Sequence, residues 1–115
     1  MKKIIYVDVD GTICQNRDDL RDQDISIAYS DVKPYPDRIA HINSLYDDGH
    51  EIVYWTARGC KSGDDYTELT KQQFKEWGVK YHDLQVGNKP HFDMYICVKS
   101  WNSESFFHRF DRGLP

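Results

Sequence analysis

Three apolar runs separate the more polar parts of this chain. Residues 3–9, Glu51–Trp55 and Met94–Val98 are rich in β-branched and aromatic side chains, which is typical of buried strands. A weaker apolar segment, Leu84–Val86, precedes the last run. We therefore predict three principal strands and expect the first to lie in the centre of a sheet that is covered on both faces.

Apolar residues at helical spacing occupy the intervals between these runs. A first helix is predicted after Pro36, with its end at Gly49, and a second from Ser62 to Gly78. Asn102 is expected to cap a final helix whose apolar face carries Phe106, Phe107 and Phe110. Alternating strands and helices predict a three-layer α/β/α fold around a Rossmann-like parallel sheet with right-handed crossovers.

The length of 115 residues allows one domain, residues 1–115, and leaves no room for a large cap domain. Residues 13–33 are polar and irregular. Within them, Ile25, Ile27 and Tyr29 alternate as one arm of a small hairpin would. We predict that this segment forms a flap over the edge of the sheet.

Charge and cysteine content narrow the functional classes. The formal net charge of −4 argues against a surface that binds nucleic acid by releasing counterions. No apolar run is long enough to span a bilayer, and the basic amino terminus reaches Asp8 before a signal-peptide core develops, so we expect a cytoplasmic protein. The three cysteines lack ligand spacing and are expected to be free thiols.

Reactive side chains stand where the predicted strands end. Asp8 and Asp10 close the first run, Thr56 follows the second, and Lys89 precedes the third. Since the carboxyl ends of parallel strands share one edge of a sheet, we expect these residues to form one site. Two adjacent carboxylates suggest a cation. A carboxylate nucleophile, a second acid, a hydroxyl and an ammonium group match the requirements of phosphoryl transfer.

The segment Asp8–Thr12 resembles the first motif of the haloacid dehalogenase superfamily of phosphotransferases, while Thr56 resembles its second motif and Lys89 its third. The resemblance covers nearly the whole chain and fits a minimal member without a large cap. It implies that Asp8 attacks phosphorus and forms an aspartyl-phosphate. It also implies that Asp10 protonates the leaving oxygen and then activates water.

The resemblance further implies a phosphate cradle and a metal. The groups expected to bind phosphate are Gly11, Thr12, Thr56, Ala57 and Lys89. Mg²⁺ is the implied cofactor, with Asp8 and Asp10 as its ligands. Arg58 could equally contact substrate or form a surface ion pair.

The fourth motif departs from the family pattern. Where the family commonly places a pair of aspartates that help to hold Mg²⁺, this chain has Cys97 and Val98. Asn102 and Glu104 are candidate compensating ligands, although an asparagine that opens a helix is usually a cap.

Two functions are therefore open: a phosphomonoester hydrolase that forms an aspartyl-phosphate, or a catalytically weakened relative that binds a phosphorylated ligand or a protein partner. A phosphorelay receiver domain is less consistent, because receivers carry the phosphorylated aspartate after a middle strand, where this chain has Thr56. The absence of a large cap predicts an open site. Such a site would admit a small phosphorylated substrate or a phosphorylated polymer end, or would be closed by a neighbouring subunit of a homo-oligomer.

Overall fold

Three parallel strands form the sheet. The structure is a computed structural model that describes residues 2–17, 28–60, 62–90 and 92–111, with residues 110 and 111 described by backbone alone. The strands are β1 (Ile4–Val7), β2 (Glu51–Thr56) and β3 (Asp83–Val86), in the spatial order β1-β2-β3. Val7 is paired with Tyr54. Thr56 is paired with Val86, so the carboxyl ends of all three strands meet at one edge.

The helices that connect the strands are α1 (Pro36–Asp47), α2 (Thr67–Trp77) and α3 (Ser103–Asp111), and Tyr29–Asp31 form a short 3₁₀ helix. All three predicted α-helices are confirmed, but α2 begins at Thr67 rather than at Ser62. The predicted cap of α3 is present, since Asn102 Oδ1 accepts the N–H of Glu104 at 3.0 Å. None of the helices in the described ranges is long and apolar enough to cross a membrane.

The core lies against the face of the sheet to which Val7 and Tyr54 contribute. Tyr54 is completely buried. Its ring centroid lies 4.9 Å from that of Phe74 in α2, in an edge-to-face arrangement. Ile42 from α1 and Phe107 from α3 are each 3% exposed and belong to the same cluster. Each such side chain contributes about 1.5–3 kcal/mol through burial, which fixes the helices relative to the sheet edge.

The strand predicted at Met94–Val98 is wrong. This segment forms no strand, and Ile96 and Val98 are 87% and 100% exposed. The third strand is instead the weaker apolar segment that contains Leu84. β-propensity expresses how well a side chain fits a half-buried pleated surface. The segment Asp83–Val86 forms a strand because it pairs with β2. The more apolar run Met94–Val98 has no pairing partner among the described residues.

The central position predicted for β1 is also wrong. Within the described sheet β1 is an edge strand that pairs with β2 alone. Ile4 and Tyr6 share one face of the sheet and are 66% and 55% exposed. The described residues therefore leave that face open at β1, whereas Val53 of β2, which is paired with Tyr6, is 5% exposed.

The flap prediction lies mostly outside the described residues, which do not include Ile25 and Ile27. The described part does not form a hairpin arm, because Tyr29 begins the 3₁₀ helix. Cys14 and Pro34 form an isolated antiparallel bridge, which returns the segment to the end of β1.

The turn after β2 contains two glycines with positive φ, and only one of them lacks space for a Cβ atom. Gly59 has a φ of +83°, and a Cβ there would clash with the backbone carbonyl oxygen of Asp64. Gly63 has a similar φ of +78°, but open space surrounds its Cβ position. We expect Gly59→Ala to lower the free energy of unfolding by more than Gly63→Ala, whose cost is the backbone strain of about 1–3 kcal/mol alone. Urea denaturation measures both variants, and equal losses would contradict the described turn.

Candidate functional site

Asp8 and Lys89 form an ion pair at the carboxyl edge of the sheet. Asp8 directly follows the last residue of β1, and its Oδ1 lies 3.4 Å from Nζ of Lys89. The side chain of Asp8 is 44% exposed, whereas that of Lys89 is 16% exposed. The structure thus brings together the residues that the sequence placed in the first and third motifs, and it leaves the carboxylate open to an incoming group.

The loop after β3 positions Lys89. Gly87 has a φ of +81°, and its N–H donates to the carbonyl oxygen of Thr56 at 3.2 Å, which turns the chain at the end of the sheet. Trp55 supports the loop, because its Nε1 donates to Asn88 Oδ1 at 3.0 Å. The ammonium of Lys89 lies 5.4 Å from the centroid of the Trp55 ring, within the range of a cation–π contact.

Several groups act on the protonation of Asp8. Burial by the surrounding protein raises the pKa of Asp8. The charge of Lys89 and the hydrogen bond from the N–H of Val9 lower this pKa, and the charge of Asp10 raises it. The net result is a raised pKa. The free energy of unfolding therefore falls as the pH rises from the ordinary aspartate value of about 3.9 through the pKa of Asp8 in the folded protein.

Asp10 is held by Arg58, whose side chain has no exposed surface. Nη2 of Arg58 donates to Oδ1 of Asp10 at 2.8 Å, and Nε donates to Oδ2 at 3.0 Å. Of the two alternatives predicted for Arg58, the ion pair is present, but it is buried and does not lie at the surface; in this conformation the guanidinium has no exposed surface to offer a ligand. Its function is to bind Asp10 in a bidentate ion pair.

The opposite side of the guanidinium is held by α2. Nη1 of Arg58 donates to Thr70 Oγ1 at 3.1 Å and to Gln73 Oε1. The ring of Tyr29 lies 4.9 Å from the guanidinium carbon. Burial acts to lower the pKa of Arg58, but the hydrogen bonds and charge of Asp10 outweigh it and leave that pKa raised. Arg58 is therefore a cation with hydrogen-bond acceptors on two sides.

The backbone N–H groups expected to bind phosphate are engaged within the first turn. Gly11, with a φ of +80°, donates its N–H to the carbonyl oxygen of Cys14 at 2.9 Å. The N–H of Thr12 donates to the carbonyl oxygen of Val9 at 3.1 Å. A contact of these two groups with phosphate stays a prediction. Their contribution is to fold the chain sharply after Asp10.

Thr56 lies at the end of β2, where the sequence placed it, but it is only 1% exposed. Its Oγ1 accepts the N–H of Arg58 at 3.2 Å, so the hydroxyl also closes the turn that follows the strand. Ala57 between them is exposed. A contact of Thr56 or Ala57 with a phosphoryl oxygen stays a prediction.

The fourth-motif positions Cys97 and Val98 offer no carboxylate. Val98 is fully exposed and Cys97 is partly buried. Both oxygens of Glu104 accept from Nη2 of Arg38 at 2.9 Å, and Asn102 caps α3. Across the ranges that the structure describes, no group of three or more histidine, cysteine, aspartate or glutamate side chains is arranged to hold a metal ion.

A cleft of about 400 Å³ lies beside the strand ends. Gly59, Gly87, Asp64 and Asp65 are among the residues that line it. The two glycines come from the turns that follow β2 and β3. Neither Asp8 nor Lys89 is among the residues that line the cleft.

Sequence reasoning missed the polar partners of Arg58. Thr70 and Gln73 are 0% and 3% exposed, although both side chains are polar. They share a helical face with Phe74 and Trp77, as their spacing shows. Polar residues within an apolar helical face indicate a buried polar partner, so this spacing was the available signal.

The pKa of Asp8 reports the opposing effects of burial and of the Lys89 charge. We expect the pKa of Asp8 to exceed the ordinary value of about 3.9, and Lys89→Met to raise it further because a stabilising positive charge is lost. Lys80→Met is the matched control, since Lys80 forms a surface ion pair with Asp47 at 2.8 Å. Carboxyl-carbon NMR titration reports each value. An unchanged Asp8 pKa in Lys89→Met would contradict the observed ion pair.

Comparison with known proteins supports the fold. No family model matches the chain, and no curated protein matches it. A crystal structure of a structural-genomics target from Vibrio cholerae is similar, with a TM-score of 0.73 and 25% sequence identity. The similarity covers 92% of this chain and 87% of that one. The chain thus has an α/β fold, with a parallel three-stranded sheet and three α-helices in the described residues. The solved structure resembles this fold over most of the length of both chains.

Proposed function

We propose that this chain is a phosphomonoester hydrolase in which Asp8 accepts the phosphoryl group. The observation that carries the proposal is the exposed Asp8 carboxylate, paired with Lys89 and adjacent to Asp10 at the carboxyl edge of a parallel sheet. The resemblance of Asp8–Thr12, Thr56 and Lys89 to the haloacid dehalogenase motifs supports the same function. It also favours a haloacid-dehalogenase-like, three-layer arrangement of the complete chain.

The reaction proceeds in two steps. A carboxylate oxygen of Asp8 forms a bond to phosphorus while the ester P–O bond breaks, and Asp10 donates a proton to the leaving oxygen. Asp10 then takes a proton from water, whose oxygen attacks the aspartyl-phosphate. The P–O bond to Asp8 breaks, which releases inorganic phosphate and restores both side chains.

Two features of the geometry favour the first step. The raised pKa of Asp8 makes its ionised carboxylate a stronger nucleophile than an ordinary aspartate. The ammonium of Lys89, 3.4 Å from Asp8, offsets the negative charge that a phosphoryl group would bring to the carboxylate. The exposed Asp8 carboxylate suits a small phosphorylated substrate or the end of a phosphorylated polymer.

The described residues fit a Mg²⁺ site in which the protein supplies some of the ligands and substrate and water complete the coordination shell. Mg²⁺ is commonly bound through one or two carboxylates together with substrate phosphate and several waters. Asp8 offers an exposed carboxylate, and Asp10 offers its backbone carbonyl oxygen because its carboxylate is bound to Arg58. When bound, the ion would neutralise charge on the transferring phosphoryl group.

A catalytically weakened relative that binds a phosphorylated ligand is the second candidate. It is favoured by the bidentate hold of Arg58 on Asp10 and by the absence of acids at Cys97 and Val98. In that case the Asp8–Lys89 pair would recognise phosphate without turnover. The two candidates differ in their response to substitution of Asp8 and of the fourth motif.

Substitution of the nucleophile tests the leading proposal. We expect Asp8→Asn to reduce phosphate release from para-nitrophenyl phosphate in the presence of Mg²⁺ by about 10³-fold or more, because the amide cannot form the covalent intermediate. Lys80→Met, which alters a surface ion pair, should retain the activity of the wild type. A wild type that releases no phosphate from a broad panel of phosphomonoesters would contradict the proposal.

Restoring an acid to the fourth motif tests the second candidate. If the missing acid is what weakens the site, Val98→Asp should increase both Mg²⁺ affinity and turnover by about tenfold or more, as added metal ligands commonly do. Ile96→Asp is the matched control, because it adds the same charge to the same exposed segment. Calorimetric titration with Mg²⁺ and inorganic phosphate measures the affinity. A fully active wild type that gains nothing from Val98→Asp would remove the second candidate.

A further inference from the structure

We propose that Arg58 is a positioning residue for proton transfer, which orients the carboxyl group of Asp10 so that Oδ2 is the oxygen that carries the proton. This inference rests on the proposed function, in which Asp10 acts first as an acid and then as a base. It assigns a role to a buried cation that does not itself meet substrate.

The two oxygens of Asp10 have different surroundings. Oδ1 accepts from Nη2 of Arg58 at 2.8 Å, from Nε at 3.3 Å and from the thiol of Cys14 at 3.5 Å. Among the described residues, Oδ2 accepts from Nε alone, at 3.0 Å. A carboxylate oxygen has two lone pairs, so Oδ1 is fully used while Oδ2 keeps one free. A proton on Oδ2 therefore displaces no hydrogen bond to the guanidinium.

The orientation of Asp10 is imposed by groups on other elements. Thr70 and Gln73 accept from Nη1 of Arg58, and each is anchored in turn. Thr70 Oγ1 donates to the carbonyl oxygen of Tyr66 at 2.8 Å, and Gln73 Nε2 donates to that of Tyr29 at 2.6 Å. The guanidinium is thus fixed by α2 and by the segment before α1. The fixed fork then sets the plane of the Asp10 carboxylate.

A purely structural role is the competing explanation. Buried ion pairs are often no more stabilising than well-packed apolar residues, so stability alone is a weak reason for this pair. A structural defect would reduce the turnover of every substrate in proportion to the folded fraction. A defect in proton donation would instead depend on the leaving group, because a basic leaving oxygen needs protonation more than an acidic one does.

Arg58→Lys separates these explanations, because it keeps the charge but loses the planar fork. The measured quantity is the ratio of kcat/KM for para-nitrophenyl phosphate to that for phenyl phosphate, whose leaving oxygen is more basic. We expect this ratio to rise about tenfold in Arg58→Lys, less than the roughly 10²–10⁴-fold that a general acid typically contributes, because Asp10 itself is retained. Thr70→Val, which removes one acceptor of Nη1, should raise the ratio by a smaller factor.

Ile42→Ala serves as the control, since it truncates a core side chain of α1 and should leave the ratio at the wild-type value. If Arg58→Lys does not fold, the ratio measured for Thr70→Val distinguishes the positioning role from the structural one. An unchanged ratio in the folded variants, with equal losses on both esters, would overturn the positioning role alone. A wild type that hydrolyses neither ester would overturn the proposed function, and the positioning role with it.

Discussion

The buried ion pair between Arg58 and Asp10 is the interaction on which the candidate site depends. It joins the turn after β1 to the turn after β2, and through Thr70 and Gln73 it joins both turns to α2. Because the guanidinium has acceptors on two sides, a shift of either the Asp10 turn or α2 would leave buried N–H groups without their hydrogen-bond partners, which is costly. The geometry at the strand ends is therefore determined by electrostatics as well as by the packing of the core.

This arrangement gives the two aspartates different environments. Asp10 is held by a cation and is 16% exposed, while Asp8 is 44% exposed and faces Lys89 across 3.4 Å. Two identical side chains two residues apart thus acquire separate chemistry, since one can meet an incoming group and the other is fixed in place. The division into nucleophile and acid/base that we propose corresponds to this difference in environment.

The sequence predicted the parts of the structure that depend on local signals. Helix periodicity placed the three helices, and Asp8 lies directly after β1 as predicted. Lys89 was expected before a strand at Met94–Val98, whereas it follows β3. The sequence did not predict the orientation of Arg58, because a turn residue can point towards solvent or into the protein, and long-range partners decide between the two. It also did not predict that Met94–Val98 would lie outside the described sheet, because strand formation depends on an available pairing edge as much as on β-propensity.

The central claim is that Asp8 becomes covalently phosphorylated. Rapid acid quenching during turnover, followed by borohydride reduction and peptide mass spectrometry, identifies the modified side chain directly, because reduction converts an aspartyl-phosphate to homoserine. We predict homoserine at position 8 in the wild type and unmodified aspartate at position 10. Phosphate release without modification at Asp8, or modification at Asp10 in its place, would contradict the account.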